Sequence, residues 1–115
     1  MRKRSKAVIF GIGNGGMRAF AAYRKALRII AFSDNNVSRH GDYFIGRKIV
    51  SPSGLPDIDF DVVLIASSYH EEIVPQLREL GIYRSRIQVV PSAILAGMQM
   101  EIVLSRGIRR NRWYY

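Results

Sequence analysis

Six residues near the amino terminus, Gly11-Ile12-Gly13-Asn14-Gly15-Gly16, directly follow the apolar run Ala7-Val8-Ile9-Phe10 and lead into a helical stretch. Gly-x-Gly-x-x-Gly between a strand and a helix is a pattern for holding phosphate on bare backbone. Gly11 permits the sharp turn out of the strand, Gly13 lets a phosphate approach the main chain, and Gly16 lets the helix lie close to the sheet. The first N–H groups of that helix, from Asn14 and Gly15 onward, are unpaired and carry a partial positive charge. A second signal follows: Ile29-Ile30-Ala31-Phe32-Ser33 reads as the next strand and ends at Asp34-Asn35. An acidic residue about 20 positions beyond the glycines is where such a βαβ unit holds ribose hydroxyls. Ser67 and Ser68 close a later apolar strand, beside the crevice where open parallel sheets bind ligands. The candidate cofactor-binding set is therefore Gly11, Gly13, Asn14, Gly15, Gly16, Asp34, Asn35, Ser67 and Ser68, with NAD as the expected cofactor.

Each of these residues also has a packing reading. A glycine turn serves close helix–sheet contact without any ligand, Asp34 suits a turn, and Ser68 with Glu71 has the spacing of a capping box.

Catalytic chemistry is harder to find. A short-chain dehydrogenase or dehydratase site needs a tyrosine with a lysine four residues on. The nearest pair here is Tyr43 with Arg47, and arginine cannot relay a proton. The sequence has no acylating serine elbow, no Cys–His pair and no metal-ligand cluster, and His40 and His70 stand apart. No catalytic residue and no metal are expected, and the isolated chain is not expected to be an enzyme.

Composition bounds what can position the candidate set. A chain of 115 residues holds one domain with a single core. The absence of cysteine excludes a disulfide framework and thiolate metal sites. No apolar run approaches the roughly 18 residues that span a bilayer, and no signal peptide is visible, so a cytoplasmic setting is expected.

The net charge of +9 gathers at the ends, with Arg2, Lys3, Arg4 and Lys6 on one side and Arg106, Arg109, Arg110 and Arg112 on the other. Setting those eight aside leaves ten basic against nine acidic residues, and charge placed on flanks argues against nucleic acid as a partner. The expected organisation is a basic flank over 1–6, one domain over 7–105 and a basic, aromatic tail over 106–115.

Hydrophobic patterning gives alternating strands and helices. Strands are expected at Ala7–Phe10, Ile29–Ser33, Lys48–Val50, Asp61–Ala66 and Ile87–Val90. The first helix is expected from Asn14 to Leu27, with Met17, Phe20, Ala21 and Leu27 inward. A second helix carries Ile73, Val74, Leu77 and Leu80 inward and stops at Gly81; Pro75 predicts a kink or a start later than Ser68. A third is expected from Ser92 to Ser105, facing the core with Ile94, Leu95, Met98 and Ile102. Right-handed crossovers then imply an α/β domain with a five-stranded, mostly parallel sheet in the order 3-2-1-4-5 and helices on both faces.

The runs Val8–Gly16, Ile30–Asn36, Phe44–Val50, Asp61–Ser67 and Glu72–Ile82 resemble the small Rossmann-like domain of bacterial polysaccharide-biosynthesis proteins. The resemblance implies an accessory domain beside a nucleotide-sugar 4,6-dehydratase or epimerase domain, binding NAD(H) or a nucleotide sugar. It also implies membrane proximity through a region ahead of Arg2–Lys6. Asn35 departs from the second acidic residue common in that family, and Met100–Arg106 only loosely echoes its linker. The alternative is a docking or oligomerisation domain of the same fold that has lost its ligand. A homo-oligomer or an intramolecular partner domain fits either reading.

Overall fold

The computed structural model describes residues 3–98 and Ile102. Strand β1 (Lys6–Phe10) is followed by helix α1 (Asn14–Tyr23), strand β2 (Arg28–Ser33), a two-residue strand β3 (Tyr43–Phe44) and strand β4 (Arg47–Val50). Strand β5 (Val62–Ile65), helix α2 (His70–Glu79), strand β6 (Ile87–Val89) and the short helix α3 (Ser92–Leu95) complete it. Short 3₁₀ helices fill the connections, one turn each at Val37–Arg39 and Arg84–Arg86 and a six-residue stretch at Pro52–Asp57.

The architecture is α/β with a mostly parallel sheet. The expected five strands in the order 3-2-1-4-5 are corrected to six in the order β3-β4-β2-β1-β5-β6. The added strand is β3, which pairs antiparallel with β4 (Tyr43↔Lys48, Phe44↔Arg47), so Lys48–Val50 is not the edge. Its hairpin turn explains why the sequence hid it. Ile45 and Gly46 both take positive φ, at 50° and 73°. Two-residue hairpin turns of this kind favour Asn-Gly or Asp-Gly, and a β-branched residue gives no such signal. Elsewhere the ladders are parallel, with β1 between β2 and β5 (Ala7↔Ile29, Ala7↔Val62).

Apolar runs on both faces of β1 and β5 require cover on both sides. One cluster sets Ile9 and Leu64 against Ala19, Ala22 and Tyr23 of α1 and Ile94 of α3; the other sets Phe10 and Ile65 against Ile73 and Leu77 of α2. Helix α1 is shorter than expected. It ends at Tyr23, and its buried residues are Gly16, Ala19, Ala22 and Tyr23, whereas Met17 is 51% exposed. Small residues let α1 lie close to the sheet; of the expected inward set Leu27 is buried and Phe20 packs against the core, while Met17 and Ala21 are exposed.

Helix α2 begins at His70, the start later than Ser68 that Pro75 predicts, and Ser68 does not cap it. The Ser67 hydroxyl accepts the Tyr69 N–H at 3.0 Å instead, which replaces the expected Ser68–Glu71 box. Pro75 lies inside α2, and Gly81 at φ 92° follows its end. Helix α3 stops at Leu95 instead of running to Ser105, because Gly97 takes φ 101° and turns the chain. Met98 is 61% exposed, while Ile102 is buried and donates its N–H to Ala22 O at 2.9 Å. The rest of the expected third helix and the 106–115 tail lie outside the described residues.

Candidate functional site

The strand order turns back at β1 and β5, because α1 carries the chain to one side of β1 and α2 carries it from β5 to the other. At the carboxyl ends of these strands lies a crevice of about 470 Å³. Its floor is Phe10, Gly11, Ile12, Gly13 and Gly15 from the first turn and Ala66 and Ser67 from the end of β5; Asp34 and Asn35 wall one side, and Tyr69, Glu72, Ile73 and Gln76 wall the other.

The glycines divide into two kinds. Gly11 has φ 129°, and a Cβ there would sit 2.7 Å from Ala66 O; its N–H donates to Ser33 O at 2.8 Å. A Cβ at Gly15 would meet the same Ala66 oxygen at 2.7 Å, and one at Gly16 would collide with Gly11 O. These three are glycine because β5 and the turn crowd them. Gly13 differs: a Cβ there meets nothing within 4 Å. Its φ of −91° is one that any residue adopts, so backbone conformation does not require glycine at this position. Gly13 is also the N-cap of α1 and offers no side chain to the first N–H groups of the helix. An exposed, uncapped helix start beside open space can take an anion's oxygens.

Asp34 serves two roles in one place. Its Oδ2 accepts the Asn36 N–H at 2.9 Å, the turn bond expected of this residue type, and it still lines the crevice. His40 Nε2 lies 2.7 Å from Asp34 O and braces the loop. Across the crevice, Asn35 and Gln76 exchange amide hydrogen bonds of 3.1 and 2.7 Å, tying the end of β2 to α2.

Of the sequence candidates, Gly11, Gly13, Gly15, Asp34, Asn35 and Ser67 come together around the crevice. Asn14, Gly16 and Ser68 are not among its lining residues. Gly16 is buried beneath the turn, and Ser68 is exposed beyond it. Sequence reasoning missed Tyr69, Glu72 and Gln76. The available signal was the i, i+4 spacing of Glu72 and Gln76 in the first turns after β5, which puts both on one helix face. Two carboxylates and no basic side chain line the crevice, so phosphate charge there would fall to backbone N–H groups and the α1 terminus. Among the described residues no cluster of His, Asp and Glu could hold a metal ion, and no helix is long and apolar enough to cross a membrane.

This arrangement defines an α/β domain with a glycine turn and an open crevice at the strand reversal. Residues 3–88 match the C2185-like N-terminal family, and the chain belongs to it. The fold is similar to the crystal structure of UDP-D-quinovosamine 4-dehydrogenase from Vibrio fischeri, at 21% identity and a TM-score of 0.63, covering 83% of this chain and 86% of that one. It is also similar to RSP, a Rex-family repressor. The RSP complex with beta-NAD+ and operator DNA gives 12% identity and a TM-score of 0.56, over 76% of this chain and 50% of the repressor. The complex with beta-NADH gives 15% and 0.56, over 78% and 55%. The chain thus spans about half of the repressor's length. No curated protein sequence matches.

Proposed function

We propose that this chain is a non-catalytic nucleotide-binding domain, taking NAD(H) or a nucleotide sugar in the crevice above β1 and β5. The observation that carries the reading is Gly13. Packing accounts for Gly11, Gly15 and Gly16, but nothing in the fold excludes a side chain at Gly13. A phosphate lying against the backbone at the start of α1 supplies the reason that packing does not. Asp34 would accept ribose hydroxyls through its remaining carboxylate oxygen, and Tyr69, Asn35 and Gln76 would face the base. Ser67 would stay a loop brace, since its hydroxyl already accepts the Tyr69 N–H.

The solved neighbours support this reading by what they hold or act on: a Rex-family repressor bound to NAD+ and NADH, and a UDP-sugar 4-dehydrogenase. Coverage of 86% of the latter also favours a place within a nucleotide-sugar or polysaccharide biosynthesis protein. A thermal-shift panel of NAD+, NADH, NADP+, UDP-sugars and ATP tests the proposal. A ligand of the native state raises the unfolding midpoint. NAD(H) or a UDP-sugar should do so, and a panel silent at about 1 mM, where binding would be worth no more than about 4 kcal/mol, would remove nucleotide binding from the account.

A further inference from the structure

One charged side chain of the crevice has no task in the fold or in the proposed nucleotide contacts. Tyr69, Glu72, Ile73 and Gln76 line one wall at the spacing i, i+3, i+4 and i+7, a single face of α2 and its N-cap. Three of these are accounted for. Ile73 is buried against the sheet, Gln76 is tied to Asn35, and the Tyr69 N–H is held by Ser67 Oγ. Glu72 is exposed, and among the described residues its carboxylate meets no hydrogen-bond donor and no cation.

Helix-start charge does not explain its place. Glu71 and Glu72 both lie in the first turn of α2 and both suit its positive end, yet only Glu72 lines the crevice. Gln76 reaches Asn35, the neighbour of Asp34; Glu72 stands about 6 Å back along the helix axis, toward the end of β5. Asp34, which follows β2, and Glu72, which follows β5, therefore flank the glycine turn that follows β1. The crevice has an acceptor on each side and a backbone cradle between them.

A carboxylate that only accepts hydrogen bonds welcomes a sugar's hydroxyls and repels the oxygens of a terminal phosphate. Among the described residues no lysine or arginine lines the crevice to offset that repulsion. Arg18 on α1 is turned to Leu95 O at 2.6 Å, and Arg39 beyond β2 is paired with Asp42 at 3.3 Å. Backbone N–H groups can hold an internal diphosphate, but a terminal phosphate adds at least one further negative charge at neutral pH. We infer, resting on the nucleotide-binding reading, that Glu72 sets the ligand class by holding the sugar beyond the diphosphate. Diphosphates capped by a sugar at both ends bind, and nucleoside di- and triphosphates with a free terminal phosphate are rejected. NAD(H) and nucleotide sugars share this chemistry.

Calorimetric titration of the full chain tests this with two series, ADP-ribose, ADP and ATP, and UDP-glucose, UDP and UTP. EDTA in the buffer keeps divalent cations from masking phosphate charge. In whichever series binds, the sugar-capped diphosphate should bind at least about tenfold more tightly than the free diphosphate, with the triphosphate weakest. Glu72→Gln keeps the side chain's size and an acceptor but removes its charge, so that gap should narrow by about fivefold. Glu71→Gln should leave the gap unchanged, which separates a ligand contact from a helix-start effect. Both side chains are exposed, so neither change threatens the fold. ADP bound as tightly as ADP-ribose, UDP bound as tightly as UDP-glucose, or an unchanged gap in Glu72→Gln would overturn the role of Glu72 and leave nucleotide binding standing. Silence of the wild type toward every ligand of both series would instead overturn the nucleotide reading, and the role of Glu72 with it.

Discussion

The two ends of the parallel sheet are built from opposite materials. At the carboxyl end, glycines and the start of α1 expose backbone N–H groups, and the side chains with charge are Asp34 and Glu72. At the amino end, backbone carbonyls and Phe20 hold the guanidiniums of Arg4, Arg24 and Arg47, none of which meets a carboxylate among the described residues. Parallel strands force this division, since every βα turn falls at one end and every αβ return at the other. An anion bound at the carboxyl end must meet main chain, so access and glycine geometry decide its binding. An anion at the amino end meets long side chains, so net charge and salt decide it. Binding at the two ends should respond to different substitutions.

The largest effect is expected where the crevice floor is packed most tightly. Gly16→Ala places a methyl against Gly11 O, with Phe44 Cε2 3.6 Å away, so either α1 must move off the sheet or the turn must open. The gain in helix propensity is about 1 kcal/mol. Overpacking against backbone should exceed it, for a net loss of about 2–3 kcal/mol in chemical denaturation. Unchanged stability would mean that the turn yields easily and is no rigid cradle.

A smaller effect is expected at the crevice wall. Asp34→Asn keeps a side-chain acceptor for the Asn36 N–H but removes the charge that ribose hydroxyls would meet. NAD+ affinity should fall about tenfold, and the preference over NADP+ should narrow because the repulsion of a 2′-phosphate is gone. Titration of both nucleotides checks this; wild-type protein that binds NADP+ as tightly as NAD+ would take Asp34 out of that role.

How much of this was legible in the sequence follows from where each feature is written. The glycine turn, β1, β2 and Asp34 lie within one short stretch of chain, so their relation could be read from spacing alone. The arginines at the amino end could not, because Arg4, Arg24 and Arg47 come together only after the sheet forms. The length of α1 failed for another reason: Ala19 and Ala22 carry its contact with the sheet, and alanine gives a weak periodic signal beside Met17 and Phe20. Tyr69 and Gln76 escaped because the side that α2 turns to the crevice is set by Ile73 and Leu77 packing on the sheet, which the glycine motif does not announce. Strand β3 escaped because its turn breaks a local rule at Ile45.

That broken rule gives the smallest of the expected effects. Ile45 sits at φ 50° and is 37% exposed, so little burial is at stake there. Ile45→Asn suits the first position of this hairpin turn and should raise stability by about 0.5–1 kcal/mol. Its carbonyl accepts Arg47 Nη1 at 2.7 Å, a main-chain contact that the substitution keeps, and nucleotide binding at the far end of the sheet should not change.

Gly13 offers the most direct measurement of the central claim. Calorimetric titration with NAD+ and NADH, paired with the thermal midpoint, is made on the wild type and on Gly13→Asp. Aspartate has room at this position and is a favoured N-cap, so the midpoint should hold or rise slightly. Its carboxylate would occupy the space proposed for phosphate and repel it, so binding should fall by at least about a hundredfold, equivalent to roughly 2.7 kcal/mol. A stable Gly13→Asp protein that has lost its nucleotide is the predicted result. Equal binding by the variant and the wild type would contradict the account.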